Sequence, residues 1–558
     1  MSTPQPRLRA VSLANDRIFP VLSAAQLARV VPLGTRRRVT RGEVLVDVGQ
    51  KAVPLFVVLS GEIEVLMPAE TGEEVIVAHG AGQFSGEGNM ISGRRALARL
   101  RASSDGEVIE LNRAQVLSLV QTDAELSEIL MRAFILRRSE LIAGGFGDVV
   151  LIGSLHCAGT LRVKEFLTRN GHPYHYIDLD RDADAQELLD RFQVSATDVP
   201  VLICRGDTVL RNPGNQQIAD CLGFNDAIDR THLRDLVIVG AGPSGLAAAV
   251  YGASEGLDVL VVESNTPGGQ AGSSSRIENY LGFPTGIAGL ELTARAWAQA
   301  QKFGAEIMTA TGAARLTCEK QPYDVAIGGG IRVPARAVII ATGAEYRKPA
   351  IENAMRFEGA GVYYAATAME AQLCVDDEII IVGGGNSAGQ AAVFLAQTAK
   401  RVTVVVRRTG LADTMSRYLI RRIEEHPGIV LRTQTEIIAI DGDLGVKTVR
   451  VRDNRTGEVE TLDVSHVFMM TGAVPNTRWL DGCVALDDKG FIKTGPDLSP
   501  EDLTGAGWPL SRPPYLLETS RPGVFAVGDV RSGNIKRVAS AVGEGSIAIA
   551  FAHQVLRQ

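Results

Sequence analysis

The stretch Leu236–Glu263, LVIVGAGPSGLAAAVYGASEGLDVLVVE, leaves few folds open to this chain. An apolar run at Leu236–Val239 enters the turn Gly240-Ala241-Gly242-Pro243-Ser244-Gly245. A segment of small residues follows, and a second apolar run, Val259–Val262, ends at an acid. The pattern reads as strand, turn, helix and strand. The three glycines act differently. Gly240 permits the tight turn, Gly242 lets backbone N–H groups approach a diphosphate, and Gly245 lets the helix pack against the sheet. A dinucleotide would then lay its phosphates on the positive end of a helix opened by Pro243 and Ser244, with Glu263 accepting from an adenosine ribose. A glycine triplet by itself is weak evidence; here strand, turn, helix, strand and acid all fall at the required spacing.

With 558 residues the chain exceeds what one core can hold, and three or four domains are expected. A net charge of −7 with 22% charged residues gives no footprint for nucleic acid. Six cysteines form no CxxC pair and no ordered framework, which reads as reduced thiols in a cytoplasmic protein, with no metal site expected. The first residues are polar and proline-bearing, so no signal peptide is expected. The longest apolar run is broken by glycines and Pro243, so no membrane span is expected either.

From Leu33 to Leu111 short alternating runs are separated by Gly42, Gly49, Gly61 and Gly82, a pattern of strands and turns. A helical segment, Arg113–Ile142, is interrupted at Thr122-Asp123, where an N-cap restarts it. A β-roll followed by helices resembles the cyclic-nucleotide-binding domain. That resemblance implies a phosphate cassette at Phe84-Ser85-Gly86-Glu87, with Gly86 in the turn, Glu87 on the ribose, and Arg94 or Arg95 neutralising a cyclic phosphate. Arg95 lies one residue nearer to Glu87 than the family pattern, and Gly88-Asn89 replaces its small apolar pair. A roll that binds no nucleotide and serves for docking is the alternative.

Glycines at 144–147 mark a linker, after which a β-α-β-α-β-β-α order is expected. Its strands are Val149–Gly153, Tyr174–Asp178, Val201–Cys204 and Thr208–Leu210; its helices are Leu161–Arg169, Ala185–Phe192 and Gln216–Leu222. This order, with Cys157-Ala158-Gly159-Thr160 at the first turn and Asp198-Val199-Pro200 before the third strand, resembles the thioredoxin/glutaredoxin fold, in which such a proline is cis and faces the active cysteine. Thr160 stands where that family has its second cysteine. Cys157 is therefore a candidate redox thiol able to form a mixed disulfide, or else a small residue in a vestigial docking module.

A second fingerprint, Gly383-Gly384-Gly385-Asn386-Ser387-Ala388, follows the apolar run Ile379–Val382; a helix is expected at Gln390–Thr398 and a strand at Val402–Val406. Here the strand ends at Arg407-Arg408. Two guanidiniums there grip a 2′-phosphate that a carboxylate would repel, so NADPH is expected over NADH.

Two fingerprints with opposite endings imply FAD on the first and NADPH on the second. The C-terminal part, from about Asp235, resembles the low-molecular-weight thioredoxin reductases. Matching segments are Gly269-Gln270 and Asn279 in flavin-contacting loops, Ala341-Thr342-Gly343 and Thr471–Thr477 at crossovers, Gly528-Asp529 at the ribityl chain, and Arg537-Val538-Ala539 beside the isoalloxazine. The resemblance implies a multidomain chain: a β-roll with helices at 1–143, a thioredoxin-like α/β unit at 148–228, an FAD domain split over 232–345 and 475–558, and a Rossmann-like NADPH domain at 346–474. It also implies hydride transfer from NADPH to FAD, a rotation between the nucleotide domains, and a homodimer.

One departure bears on function. In that family a redox CxxC precedes the NADPH fingerprint; here both positions are alanine, Ala365 and Ala368, and Cys374 reads as core. Electrons therefore leave for a separate acceptor (a ferredoxin-like carrier, a quinone or oxygen), or pass through Cys157, or the chain is a non-catalytic NADPH sensor.

Overall fold

The computed structural model describes residues 17–69, 72–86, 89–143, 149–154, 157–181, 198–204, 208–274, 276–443, 445–480 and 482–558. The expected helix Ala185–Phe192, the glycines at 144–147 and Glu87 lie outside them.

The alternating runs of the N-terminal part form two antiparallel sheets. Gly106–Leu111 sits between Thr35–Val39 and Leu55–Ser60, and Arg99–Ala102 joins Val44–Val46 to the hairpin Ile63–Ala69/Gly72–His79. The helices Arg113–Thr122 and Ala124–Ala143 break at Asp123, whose carboxylate accepts from Leu126 N at 3.0 Å as the N-cap reading requires.

The next unit is a four-stranded sheet in the order Thr208–Arg211, Val201–Cys204, Val149–Gly153, His175–Asp178, parallel only in its last pair. The helix Ala158–Arg169 starts three residues before the expected Leu161, because Cys157 already serves as its N-cap. The Val199–Pro200 bond is cis.

The fingerprint strand Arg234–Val239 runs parallel to Val259–Val262 on one side and Arg332–Ile340 on the other, and Val524–Ala526 returns much later to extend the same parallel run. Between them the chain crosses a two-stranded link, Ala344–Tyr346 with Ala473–Pro475, and builds a second, five-stranded parallel sheet with Glu378–Val382 near its centre. The second fingerprint helix is Asn386–Leu395, not Gln390–Thr398: Gly385 is its N-cap, so Asn386 and Ser387 are helical rather than turn residues.

Cysteine usage departs from expectation. Cys318 and Cys483, separated by 165 residues, form a disulfide inside the core under the first sheet. Spacing could not reveal a pair that only the folded sheet brings together. Cys157, Cys204, Cys221 and Cys374 are not disulfide-bonded. Among the described residues no helix is long and apolar enough to cross a membrane.

The modules are pinned to one another through arginines. Arg94 is 6% exposed; its guanidinium lies 3.9 Å from the Phe224 ring centre and 4.8 Å from that of Trp297, and donates to the Asn170 carbonyl at 2.8 Å. Three units thus meet at one side chain. Arg95 binds Asp226 at 2.5 Å, and Asn225 exchanges two hydrogen bonds with the Thr309 backbone. Replacing Arg94 with alanine leaves a buried carbonyl unpaired and two rings unpacked, a loss of about 1–3 kcal/mol. Arg94→Ala is expected to release the β-roll to protease earlier on heating while the C-terminal part melts unchanged, as followed by gel and by circular dichroism.

Candidate functional site

Both fingerprints open into one continuous cleft of about 1460 Å³. On the first side it is lined by Gly240, Gly242, Pro243, Ser244, Glu263, Gly269, Gln270, Asn279, Ala341, Thr342, Gly343, Asp529, Arg537 and Val538. On the second it is lined by Gly383, Gly385, Asn386, Ser387, Ala388, Arg407 and Arg408.

The glycines divide their roles as the sequence predicts. Gly240 has φ +107°, and a Cβ there would lie 2.3 Å from the Ala341 carbonyl oxygen. On Gly245 it would lie 1.9 Å from the Gly240 oxygen, so this residue supports the turn from behind and does not line the cleft. A Cβ on Gly242 would meet nothing within 4 Å, and the residue caps the N-terminus of the helix Pro243–Ser254. The second turn repeats the design: a Cβ on Gly383 would meet the Met470 oxygen at 2.3 Å, while Gly385 has open space out to 4.0 Å. Two helix N-termini therefore face the cleft without side chains in front of them, which fits diphosphates.

Glu263 is buried. Burial pushes its carboxyl above the ordinary range, partly offset by N–H donors from Ala241 at 2.7 Å and Asn265 at 2.8 Å. One carboxylate oxygen thus braces the turn and the other the following loop. Asp529 is raised by burial and by neighbouring Glu544 against Lys536, and its carboxylate has no hydrogen-bond donor among the described residues. A half-buried acceptor without a donor, in a cleft of this size, fits the hydroxyls of a ribityl chain.

The Gln270 amide donates to the Ala344 carbonyl, tying a flavin-type loop to the crossover. Asn386 uses its amide oxygen on Ser416, accepting from its N at 2.7 Å and its hydroxyl at 3.0 Å. Arg407 and Arg408 are exposed at the rim, and Arg408 keeps a loose contact of 3.9 Å with Asp413. Two expected residues besides Gly245 do not line the cleft. The Gly528 N–H binds Glu544 at 2.7 Å behind the site, and Ala539 is exposed in the first turn of the helix Val538–Leu556.

Tyr364 and Ala365 form part of the cleft wall. Cys374 is fully buried, and burial pushes its thiol up to about 12, with Asp377 and Glu370 adding to the shift. It is a packed, protonated group. Cys157 does not line the cleft; its Sγ lies 4.0 Å from the Val199 oxygen. The residues of its helix that do line the cleft are Glu165 and Arg169, which sequence reasoning missed because the cleft partner of Arg169, Gly269, lies 100 residues away.

In the β-roll, a cavity of about 100 Å³ is lined by Val46, Val53, Val65, Ile76, Leu100 and other apolar side chains, together with Gly86, His79 and Arg137. Burial and the charge of Arg137 keep His79 neutral. Arg137 donates to the Phe84 and Gly86 carbonyls at 3.0 and 2.9 Å. Arg94 and Arg95 do not line this cavity; the structure brings them to the contacts with Asn170 and Asp226 instead.

Residues 36–123 match the cyclic nucleotide-binding domain, and residues 234–545 match the pyridine nucleotide-disulphide oxidoreductase family. The chain is 35% identical to the thioredoxin reductase of Mycolicibacterium smegmatis over 317 residues, 57% of this chain and 94% of that one. It is 33% identical to the thioredoxin reductase of Bacillus subtilis over 315 residues, 56% and 92% of the two chains. The crystal structure of Lactococcus lactis thioredoxin reductase superposes with a TM-score of 0.52 at 27% identity, covering 58% of this chain and 99% of that one. The structure from T. acidophilum gives 0.52 at 29%, with the same coverage. Two glycine turns facing one cleft, carried on a fold shared with these reductases, place the chain in the pyridine nucleotide-disulphide oxidoreductase family, as a thioredoxin reductase-like, NAD(P)H-dependent flavin oxidoreductase that uses FAD.

Proposed function

We propose that the chain delivers electrons from NADPH, by way of FAD, to an acceptor that docks from outside, and not to a dithiol of its own. The observation that carries this is Ala365 on the wall of the shared cleft, at a position where the resemblance puts a redox cysteine. FAD, when bound, accepts a hydride from NADPH and passes the electrons on. The chain's own residues bind and orient. Amides at Gly242 and Gly385 would receive the two diphosphates, Glu263 the adenosine ribose, Asp529 the ribityl hydroxyls, and Arg407 with Arg408 the 2′-phosphate.

The same reading divides the chain into a β-roll (1–143), a thioredoxin-like unit (148–228), an FAD domain (232–345 and 475–558) and an NADPH domain (346–474), assembled by family resemblance as a homodimer. The thioredoxin-like assignment is supported by the strand order of the four-stranded sheet and by Cys157 at a helix N-cap near Pro200. A route through Cys157 is disfavoured: the thiol does not line the cleft, and Thr160 stands where a resolving cysteine would be.

For the β-roll, gating by a cyclic nucleotide has a physical form. Arg94 and Arg95 can reach a cyclic phosphate only by leaving Asn170 and Asp226, so such a ligand would undock the roll as it binds.

Three outcomes are expected. In stopped flow, NADPH bleaches the flavin and a panel of carriers, quinones and oxygen restores it, with turnover kept in Cys157→Ser; lost turnover in that variant would transfer the reading to the thiol route, and uniformly slow bleaching would favour a sensor. Replacing Arg407 and Arg408 with alanine weakens NADPH about ten- to a hundredfold, the worth of one or two charge-assisted bonds, and leaves NADH within a few-fold; an equal loss for both would show that the pair does not read the 2′-phosphate. Titration with a cyclic purine nucleotide raises protease sensitivity between the roll and the remainder and alters flavin reduction; no change at high concentration leaves the roll a docking module.

A further inference from the structure

The helix Ala158–Arg169 lies outside the segment 234–545 that matches the oxidoreductase family, yet its last turns reach the first fingerprint. Arg169 and Glu165 line the cleft beside Gly240, Gly242 and Glu263. The Arg169 guanidinium donates to the Gly269 carbonyl at 2.7 Å and the Pro267 carbonyl at 3.5 Å, and pairs with Glu165 at 3.0 Å. It lies so close to Gly272 that a Cβ there would stand 3.1 Å away. Its side chain is 11% exposed, and its Nε is buried without a hydrogen-bond partner. Its charge also acts on Glu263, opposing the upward effect of burial there.

A guanidinium this deep loses hydration that one carboxylate and two carbonyls only partly replace. Glu165, its anionic partner, is 41% exposed and so screened by water, which leaves part of the positive field for an anion in the cleft. The loop that Arg169 holds borders the diphosphate turn: a Cβ on Gly269 would lie 3.0 Å from the Gly242 Cα, so the two form adjoining walls. A planar, permanently charged fork suits phosphate oxygens, which lysine meets only as a point charge.

We infer that Arg169 is an FAD-binding residue supplied by the N-terminal half of the chain, set at the diphosphate–ribose end of the cofactor, so that binding FAD and docking unit 148–228 onto the flavoprotein favour each other. This rests on reading the first fingerprint as the FAD site. Linkage makes the coupling reciprocal: whatever loosens the module weakens flavin, and loss of flavin loosens the module. The matched relatives build their sites without this helix, so the contact is an addition made by the fusion.

The test uses the full chain stripped of flavin and titrated with FAD by fluorescence quenching, at low and high salt. Arg169→Ala is expected to weaken FAD at least tenfold at low salt, with Arg169→Lys in between, and the wild-type affinity should fall with salt more steeply than that of Arg169→Ala. Adding FAD should protect the junction between the N-terminal half and the flavoprotein from protease in the wild type but not in Arg169→Ala. Equal FAD affinity and equal salt slopes in wild type and Arg169→Ala overturn the inference. Should Arg169→Ala fail to fold, an unweakened Arg169→Lys together with a salt-independent wild type overturns it as well. A wild-type chain that takes up no FAD would instead refute the reading of the cleft, a result visible before any variant is made.

Discussion

A dinucleotide can lie against a strand-to-helix turn only where the turn carries nothing in front of the helix amides and nothing behind that keeps helix and strand apart. In this chain both conditions are met by hydrogen atoms in place of methyl groups. The 1.9 Å that would separate a Cβ on Gly245 from the Gly240 oxygen is less than any atom pair tolerates, so any side chain there pushes the helix off its sheet. The open space at Gly242 is the other face of the same constraint. Because the second turn repeats the arrangement with Gly383 and Gly385, two helix dipoles converge on one cleft, and negative charge is stabilised at two points within it. The parallel sheets, the crossover link and the late return of Val524–Ala526 hold these two turns face to face.

Buried cations hold the accessory modules in place. Arg94, 6% exposed, donates to Asn170 between two rings and Arg95 pairs with Asp226 at 2.5 Å; beside the first sheet Arg234, 2% exposed, does similar work within one unit, on Asp258 at 2.8 Å, Glu306 at 2.6 Å and the Asp229 carbonyl at 2.7 Å. Such contacts add little net stability, because desolvation offsets most of the attraction, but they penalise any arrangement that separates the partners. They fix orientation more than they add strength. An apolar interface of the same area would hold the modules together without specifying their angle so closely.

What the sequence disclosed follows from how far each signal reaches along the chain. The fingerprints were legible because turn, helix start and terminal acid or arginine pair lie within one unit of about thirty residues, and the same locality marked the break at Asp123. The second fingerprint helix begins ahead of the expected Gln390, since Asn386 and Ser387 resemble turn residues and only the extended backbone at Gly385 shows it to be the cap. Arg94 and Arg95 carried the right chemistry for a phosphate, but their partners Asn170 and Asp226 lie 76 and 131 residues away, where no local pattern can point. The Cys318–Cys483 pair was illegible for the same reason, its members separated by 165 residues and joined only when the sheet closes.

Ala365, on the cleft wall, bears on what the rest of the fold has to do. A dithiol beside the flavin supplies both an internal acceptor and a reason for the nucleotide domains to swing apart to expose it. With an alanine on the cleft wall there is no thiol at that position to expose, but nicotinamide must still reach the flavin, and the docked helix Ala158–Arg169 touches both halves: Ala158 sits where a Cβ on Gly359 would come within 2.4 Å, and Arg169 holds the Gly269 carbonyl. A large rotation of one half against the other would have to break one of these contacts. An accessory module bound in this way couples its own docking to any swing of the two halves, including the rotation that the family resemblance implies for bringing nicotinamide to flavin. The helix Ala158–Arg169 is therefore a strap across the two nucleotide-binding halves, and a rotation between them has to release it at Gly359 or at Gly269.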